Sequence, residues 1–262
     1  MQRLQSTAYF TSFWDLIRVS LGEDSVLKTA DAYFGLAKAC SANKNPDEAI
    51  KVLGQLNKSF ATDEVRQKVL AVEGMIYHQR GNLEKTKQIA NKINQLIDQD
   101  AIHTDSDGSL EIARLLMVTD DKDKAIKLLQ REIKNNPENA ALLQDVAEIF
   151  DQAGMGEEGS KLIETLRQEA MLIMNRGVLL VSKGQYEEAV SAMRDAYAAM
   201  PANMRVLLNL AYVIITYIQK NGPTPELIKE AHSSLLAANE LSPGEPRFIR
   251  LMASLNELSA SA

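Results

Sequence analysis

Apolar residues in this chain recur at steps of three and four, the spacing that gathers them on one face of an α-helix. Leu207, Leu210, Ala211 and Ile214 follow it, as do Ala231, Leu235 and Ala238, and near the start Leu4 with Ala8 and Phe13 with Leu16 and Ile17 follow it in two short runs. Short polar stretches break the pattern. In Ala42-Asn43-Lys44-Asn45-Pro46-Asp47-Glu48, Asn45 is expected to cap a helix, with Pro46 in its first turn and Glu48 completing a capping box. Residues 98–108 read as a polar loop, and Lys220-Asn221-Gly222-Pro223-Thr224-Pro225 as a turn whose Pro225 opens the next helix. The stretch 161–183 contains no proline and no glycine before Gly177. One helix is expected to run almost directly into the next there. A last helix over 247–258 precedes a tail, 259–262, that is expected to fray.

The helices fall into pairs. Numbering residues 170–201 with Ala170 as position 1 puts Gly177 at position 8, Gly184 at 15, Tyr186 at 17, Ala189 at 20, Ala196 at 27 and Pro201 at 32. Small residues at 8 and 20 let two helices approach closely while large apolar residues fill the remaining space. The arrangement resembles the tetratricopeptide repeat, whose period is about 34 residues. Other units place Gly35 and Ala49, Gly74 and Thr86, Ala113 and Ala125, Ala147 and Gly159, and Ala211 and Ala231 at positions 8 and 20. The sixth unit needs eight extra residues, and the step from Gly159 to Ala189 is 30 residues, four short of the period. The expected fold class is all-α: a tetratricopeptide-repeat right-handed superhelix (α-solenoid) of about six helix pairs plus a C-terminal capping helix. It is read as a single domain over 1–258, with a partial N-terminal unit at 1–28, six repeats at 29–244 and the cap at 245–258. Trp14 is expected in the core and Gly177 at a close helix crossing.

A narrower likeness lies within Ala147–Pro243. Gly154 and Gly159, Leu162-Ile163, Arg167, Glu169, Asn175-Arg176-Gly177-Val178, and Pro201 followed by Leu207-Leu208-Asn209-Leu210-Ala211 resemble the C-terminal region of bacterial response regulators that carry tetratricopeptide repeats after a receiver domain. Ala30-Asp31-Ala32-Tyr33 through Ala49 is similar to an earlier repeat of that family. The resemblance implies a role in bacterial signalling. The sequence contains no strand-terminal acidic cluster with a partner lysine, so the chain is expected to be a C-terminal fragment or a relative that lost its receiver, and phosphotransfer is assigned to none of its residues.

Composition narrows the chemistry. Hydrophobic residues at 45% support a core, while 5% aromatic residues and 7 prolines favour helices over a β-sandwich. A net charge of −6 leaves no basic field for phosphates, so nucleic acid is not an expected partner. The single cysteine, Cys40, rules out an internal disulfide and fits a reducing compartment. No signal-peptide pattern and no membrane-length apolar run occurs, so a cytoplasmic location without a membrane partner is expected. His78, His103 and His232 are far apart, and neither a phosphate-binding glycine loop, nor GxSxG, nor CxxC is present. Glu157-Glu158 and Glu187-Glu188 begin helices, where carboxylates complement the dipole. No metal, no cofactor and no enzymatic activity are expected.

The repeat resemblance implies a concave groove lined by the first helix of each pair, chiefly at positions 2, 5, 6, 9, 12 and 13. The fifth unit contributes Met171, Met174, Val178 and Val181 to it, and the sixth Arg205, Leu208, Tyr212 and Ile215. Position 6 adds Asp145, Asn175 and Asn209, a polar row suited to the backbone of an extended peptide. The fourth unit offers Gln144, Glu148, Asp151 and Gln152. A partner with an apolar anchor and basic flanks suits that gradient. No unit carries lysine at position 5, which disfavours the chaperone-tail type of groove. The favoured function is a non-catalytic scaffold for a protein or peptide partner; the alternative is homo-oligomeric self-assembly through the same apolar groove.

Overall fold

Four helix pairs share one turn, and it fixes how each pair folds back. At the end of each first helix, the position-16 N–H bonds the position-11 carbonyl and the position-15 N–H bonds the position-12 carbonyl: Asn82 to Tyr77 and Gly81 to His78, Met155 to Phe150 and Gly154 to Asp151, Gln185 to Leu180 and Gly184 to Val181. This double bond pattern needs a left-handed residue after the helix, and Gly81, Gly154 and Gly184 supply it with φ of 72°, 73° and 76°. The first pair makes the same turn, with Asn45 bonded to Cys40 and Lys44 to Ser41, but its left-handed residue is Lys44 at φ 61°.

That turn corrects the register of the first unit. Lys44 at position 15 puts Ala37, not Gly35, at position 8. Ala37 is fully buried, whereas Gly35 is exposed and has open space where a Cβ would stand. The expected capping box is also absent: Asn45 precedes the helix without a side-chain cap bond, and Glu48 pairs instead with Lys51.

The computed structural model describes residues 30–119 and 121–260. Trp14 and the partial unit at 1–28 lie outside them, as do Asp120 and residues 261–262. Twelve helices and no strand occur among the described residues: α1 (Ala30–Ala42), α2 (Pro46–Ser59), α3 (Asp63–Gln79), α4 (Leu83–Asp98), α5 (Ser106–Met117), α6 (Lys122–Asn135), α7 (Ala140–Gln152), α8 (Gly156–Ser182), α9 (Tyr186–Ala199), α10 (Met204–Asn221), α11 (Pro225–Leu241) and α12 (Pro246–Ala260). The chain divides into two compact units, Met1–Leu128 and Leu129–Ala262.

In the first unit α1 packs on α2, and α3 on both α4 and α5. Phe34, Ala37, Ala49, Val52, Leu53, Leu56, Val69, Val72 and Ile76 form a continuous apolar cluster. The loop after α4 is shorter than expected, because Asp105 accepts the Gly108 N–H and starts α5 at Ser106. In the second unit α8 is one 27-residue helix, as the missing helix breakers between the fourth and fifth units require. The eight extra residues of the sixth unit do not form a loop. They lengthen both of its helices, to 18 residues in α10 and 17 in α11, and the turn is confined to Gly222–Thr224 with Thr224 capping α11. The final helix continues through Ser259, whose hydroxyl donates to the Leu255 carbonyl, so the expected fraying does not begin at 259. Helix pairs stacked on helix pairs within each unit are the α-solenoid arrangement, all-α as the periodicity predicts.

Candidate functional site

Close helix approach brings the face of α8 to α10. Gly177 is buried, and a Cβ placed there would strike Cγ and Sδ of Met193 on α9. Met174, one turn earlier, is fully buried, and its carbonyl accepts a hydrogen bond from Nδ2 of Asn209 on α10. The same asparagine accepts at Oδ1 from Nη2 of Arg247 on α12, at 2.7 Å. One side chain therefore ties three helices together.

The expected groove residues separate under this packing. Met174, Leu208, Asn209 and Ile215 are at most 3% exposed. Their side chains belong to the unit's core and present no surface to a partner, which corrects their reading as groove residues. Packing of α8 against α9 and α10 covers Met174, and α12, which packs on both α10 and α11, adds Phe248, Leu251, Met252 and Leu255 to the core that holds the other three. Asn209 is committed to structural bonds on both its polar atoms, so the expected polar row is broken at its third member. Asn175 is exposed, with Nδ2 donating to Met171 O of its own helix. Met171, Val178, Val181, Asp145, Arg205 and Tyr212 are half-buried. Residues 171, 175 and 178 share one face of α8, and 205, 209 and 212 share one face of α10. The Asn209–Met174 bond sets these two faces side by side.

Arg247 belongs with them, although composition and motif did not single it out. Counting the capping helix in the repeat register, with Pro246 at position 1, places Arg247 at position 2, in the row of Met171 and Arg205. Its guanidinium carbon lies 5.9 Å from the centre of the Tyr212 ring. Burial is the largest cause, and the positive charge of Arg205 the second, of a pKa below the ordinary arginine value. Arg205 itself pairs with Glu138.

In the first unit the equivalent positions are occupied by internal pairs. Lys68, at position 2 of α3, has a side chain only 5% exposed and contacts Asp107 at 2.7 Å, Asp105 at 3.8 Å and Asp31 at 3.9 Å. Asp31 and Asp107 are the position-2 residues of α1 and α5. Burial alone would lower the Lys68 pKa, but the hydrogen bond to Asp107 and the surrounding carboxylates carry it above the ordinary value. Lys38 reaches Glu111 at 2.7 Å. A 740 Å³ cavity of the same unit is lined by Asp47, Ile50, Lys51, Tyr77, Arg80, Asn82 and Lys85. Its cations are already engaged, Arg80 by Asp47 at 2.7 Å, Lys51 by Glu48 and Lys85 by the Tyr77 ring and hydroxyl.

Among the described residues no group of three or more His, Cys, Asp or Glu is placed to hold a metal ion. No described helix is long and apolar enough to cross a membrane. Cys40 is half-buried, and burial, then the charge of Glu48, raises its pKa, so the thiol form is favoured there.

These features define a helical repeat protein. Residues 172–203 match the family model described as Tetratricopeptide repeat, a span that takes in the C-terminal part of α8 and all of α9. No curated protein sequence matches the chain. Among solved structures, the chain is similar to YrrB, described as a TPR protein with an unusual peptide-binding site, at 13% identity over 91% of this chain and 97% of that one, with a TM-score of 0.31.

Proposed function

We propose that this protein is a non-catalytic interaction scaffold that holds a protein or peptide partner on the α8–α10 face of its second unit. The observation that supports it most is the strip of half-buried Met171, Val178, Val181 and Tyr212 beside exposed Asn175, outside a core that is already complete. Half-covered apolar side chains with adaptable methionine among them suit an apolar anchor on the partner. Asp145, Glu148 and Asp151 on α7 suit basic residues at one end of that anchor, and Arg247 suits an acidic group at the other. The resemblance of Ala147–Pro243 to the repeats that follow receiver domains supports a place in bacterial signalling.

Peptides selected from a random display library on the immobilised full chain provide the test. For a selected peptide, Asn175→Ala combined with Val178→Ser is expected to weaken binding by about 1–3 kcal/mol in isothermal titration. The melting temperature is expected to move little, because Asn175 is exposed. Affinity unchanged by both substitutions, or no peptide selected above background, would reject this face. Asn209→Ala should behave oppositely and lower the melting temperature, since it removes the tie among α8, α10 and α12.

A further inference from the structure

The shortened junction leaves one helix face bare. In the sixth unit the residues at positions 3, 4, 7, 10 and 11 of the first helix are Val206, Leu207, Leu210, Val213 and Ile214, and each is at most 1% exposed. The preceding helix α9 folds back and packs along α10. The corresponding residues of the fifth unit are Leu172, Ile173, Arg176, Leu179 and Leu180. Here the preceding second helix does not fold back, because it is the first half of α8 itself and runs collinear with the second. Leu172 is accordingly 75% exposed, Leu179 55% and Ile173 38%. Three large aliphatic side chains within about two turns form a contiguous patch rather than scattered surface residues.

We infer that a second copy of this chain covers this face, through an antiparallel, two-fold pairing of α8 with α8. The charge pattern carries the choice of occupant. Glu169 and Arg176 stand equally far, about 5 Å along the helix axis, on either side of the midpoint between Leu172 and Ile173. Leu172 and Ile173 lie about 50° to either side of the line through that midpoint, and Glu169 and Arg176 lie within about 10° of it. A two-fold axis there sets Glu169 against Arg176 of the second copy twice and Leu172 against Ile173 twice, with Thr165 opposite Leu180. Neither Glu169 nor Arg176 forms an ion pair among the described residues. A symmetric contact must be self-complementary, and this sequence is. The contact is one helix wide, so it buries less than a standard interface and gives a concentration-dependent equilibrium rather than a permanent dimer.

Sedimentation equilibrium of the full chain from about 10 µM to about 1 mM tests it. Wild type is expected to pass from monomer to dimer in that range. Leu172→Glu, Glu169→Arg and Arg176→Glu should each weaken association about tenfold or more, and the double variant Glu169→Arg with Arg176→Glu should recover it. Recovery separates the two-fold pairing from non-specific apolar association and from capture of an unrelated protein. A chain that stays monomeric throughout overturns the inference, as does a dimer indifferent to these substitutions or not rescued by the double exchange. Thermal melts monitor folding of every variant, with Leu172→Gln replacing Leu172→Glu if the latter melts early.

Discussion

Gly177 shows how a single hydrogen atom in place of a methyl group sets helix spacing. Its missing Cβ is the space that Met193 fills between α8 and α9. Gly177→Leu is therefore expected to cost about 1–3 kcal/mol or more through overpacking, read as a lower denaturation midpoint. A wild-type midpoint would mean that the two helices part without penalty. Gly74 has the same role against Leu115, whose methyl groups would stand 2.7 and 2.9 Å from an added Cβ. The lesson of Gly35 is the reverse. A glycine at plausible spacing is a packing residue only if its face points inward, and there Ala37 points inward instead. The left-handed turn at Lys44 carries that information, but Lys44 is not a residue type that announces such a turn.

Among the elements, α8 departs furthest from the repeat. Its continuity over Gly156–Ser182 follows from residues that never offer a break, and it predicts how proteases see the chain. Trypsin is expected to spare Arg167, although its side chain is on an exposed stretch, because its backbone is helical and its Nε donates to Pro137 O at 3.0 Å. Proteases of broad specificity should cut first at 99–105 and 222–224, both non-helical connections. Early cleavage at Arg167 in a time course would contradict a continuous α8. The sixth unit teaches that an insertion next to turn residues need not become a loop. Divided between the two sides of Gly222–Thr224, the extra residues extend both helices, and Ile218 in the added part of α10 is buried.

For the molecule as a whole, pH dependence is expected to concentrate in the first unit, at Lys68. Burial tends to raise the Asp107 pKa, but the hydrogen bond and charge of Lys68 outweigh it and hold that carboxyl below the ordinary aspartate value. A depressed folded-state pKa contributes stability above the unfolded value and loses it as pH falls through the folded one. Stability should thus decline on acidification below the ordinary carboxylate range, and Lys68→Met should flatten that decline. At neutral pH Asp107→Asn is expected to cost about 1–2 kcal/mol after solvent screening, and more than Lys68→Met. The asymmetry arises because the first leaves a buried ammonium with only distant carboxylates, while the second removes the buried charge itself. Equal costs, or an acid slope unchanged in Lys68→Met, would show that the pair does not act this way. Chemical denaturation at several pH values gives both comparisons.

The sequence by itself determined the helices, their pairing and the continuity of α8, because these depend on local causes: three- and four-residue apolar steps, helix breakers and close-packing small residues. It also placed Asn175, Met171 and Val178 on one face of α8 through periodicity alone. What only the tertiary structure decided is which positions remain open once neighbours arrive. Leu208 and Ile215 repeat at groove spacing, yet they are buried in a core to which α12 contributes; Leu172 and Leu179 repeat at packing spacing, yet no described helix folds back over them. Asn209 offers the same amide as Asn175, but only the first meets both the Met174 carbonyl and Arg247. Burial is a property of two surfaces, and a repeat pattern records only one of them.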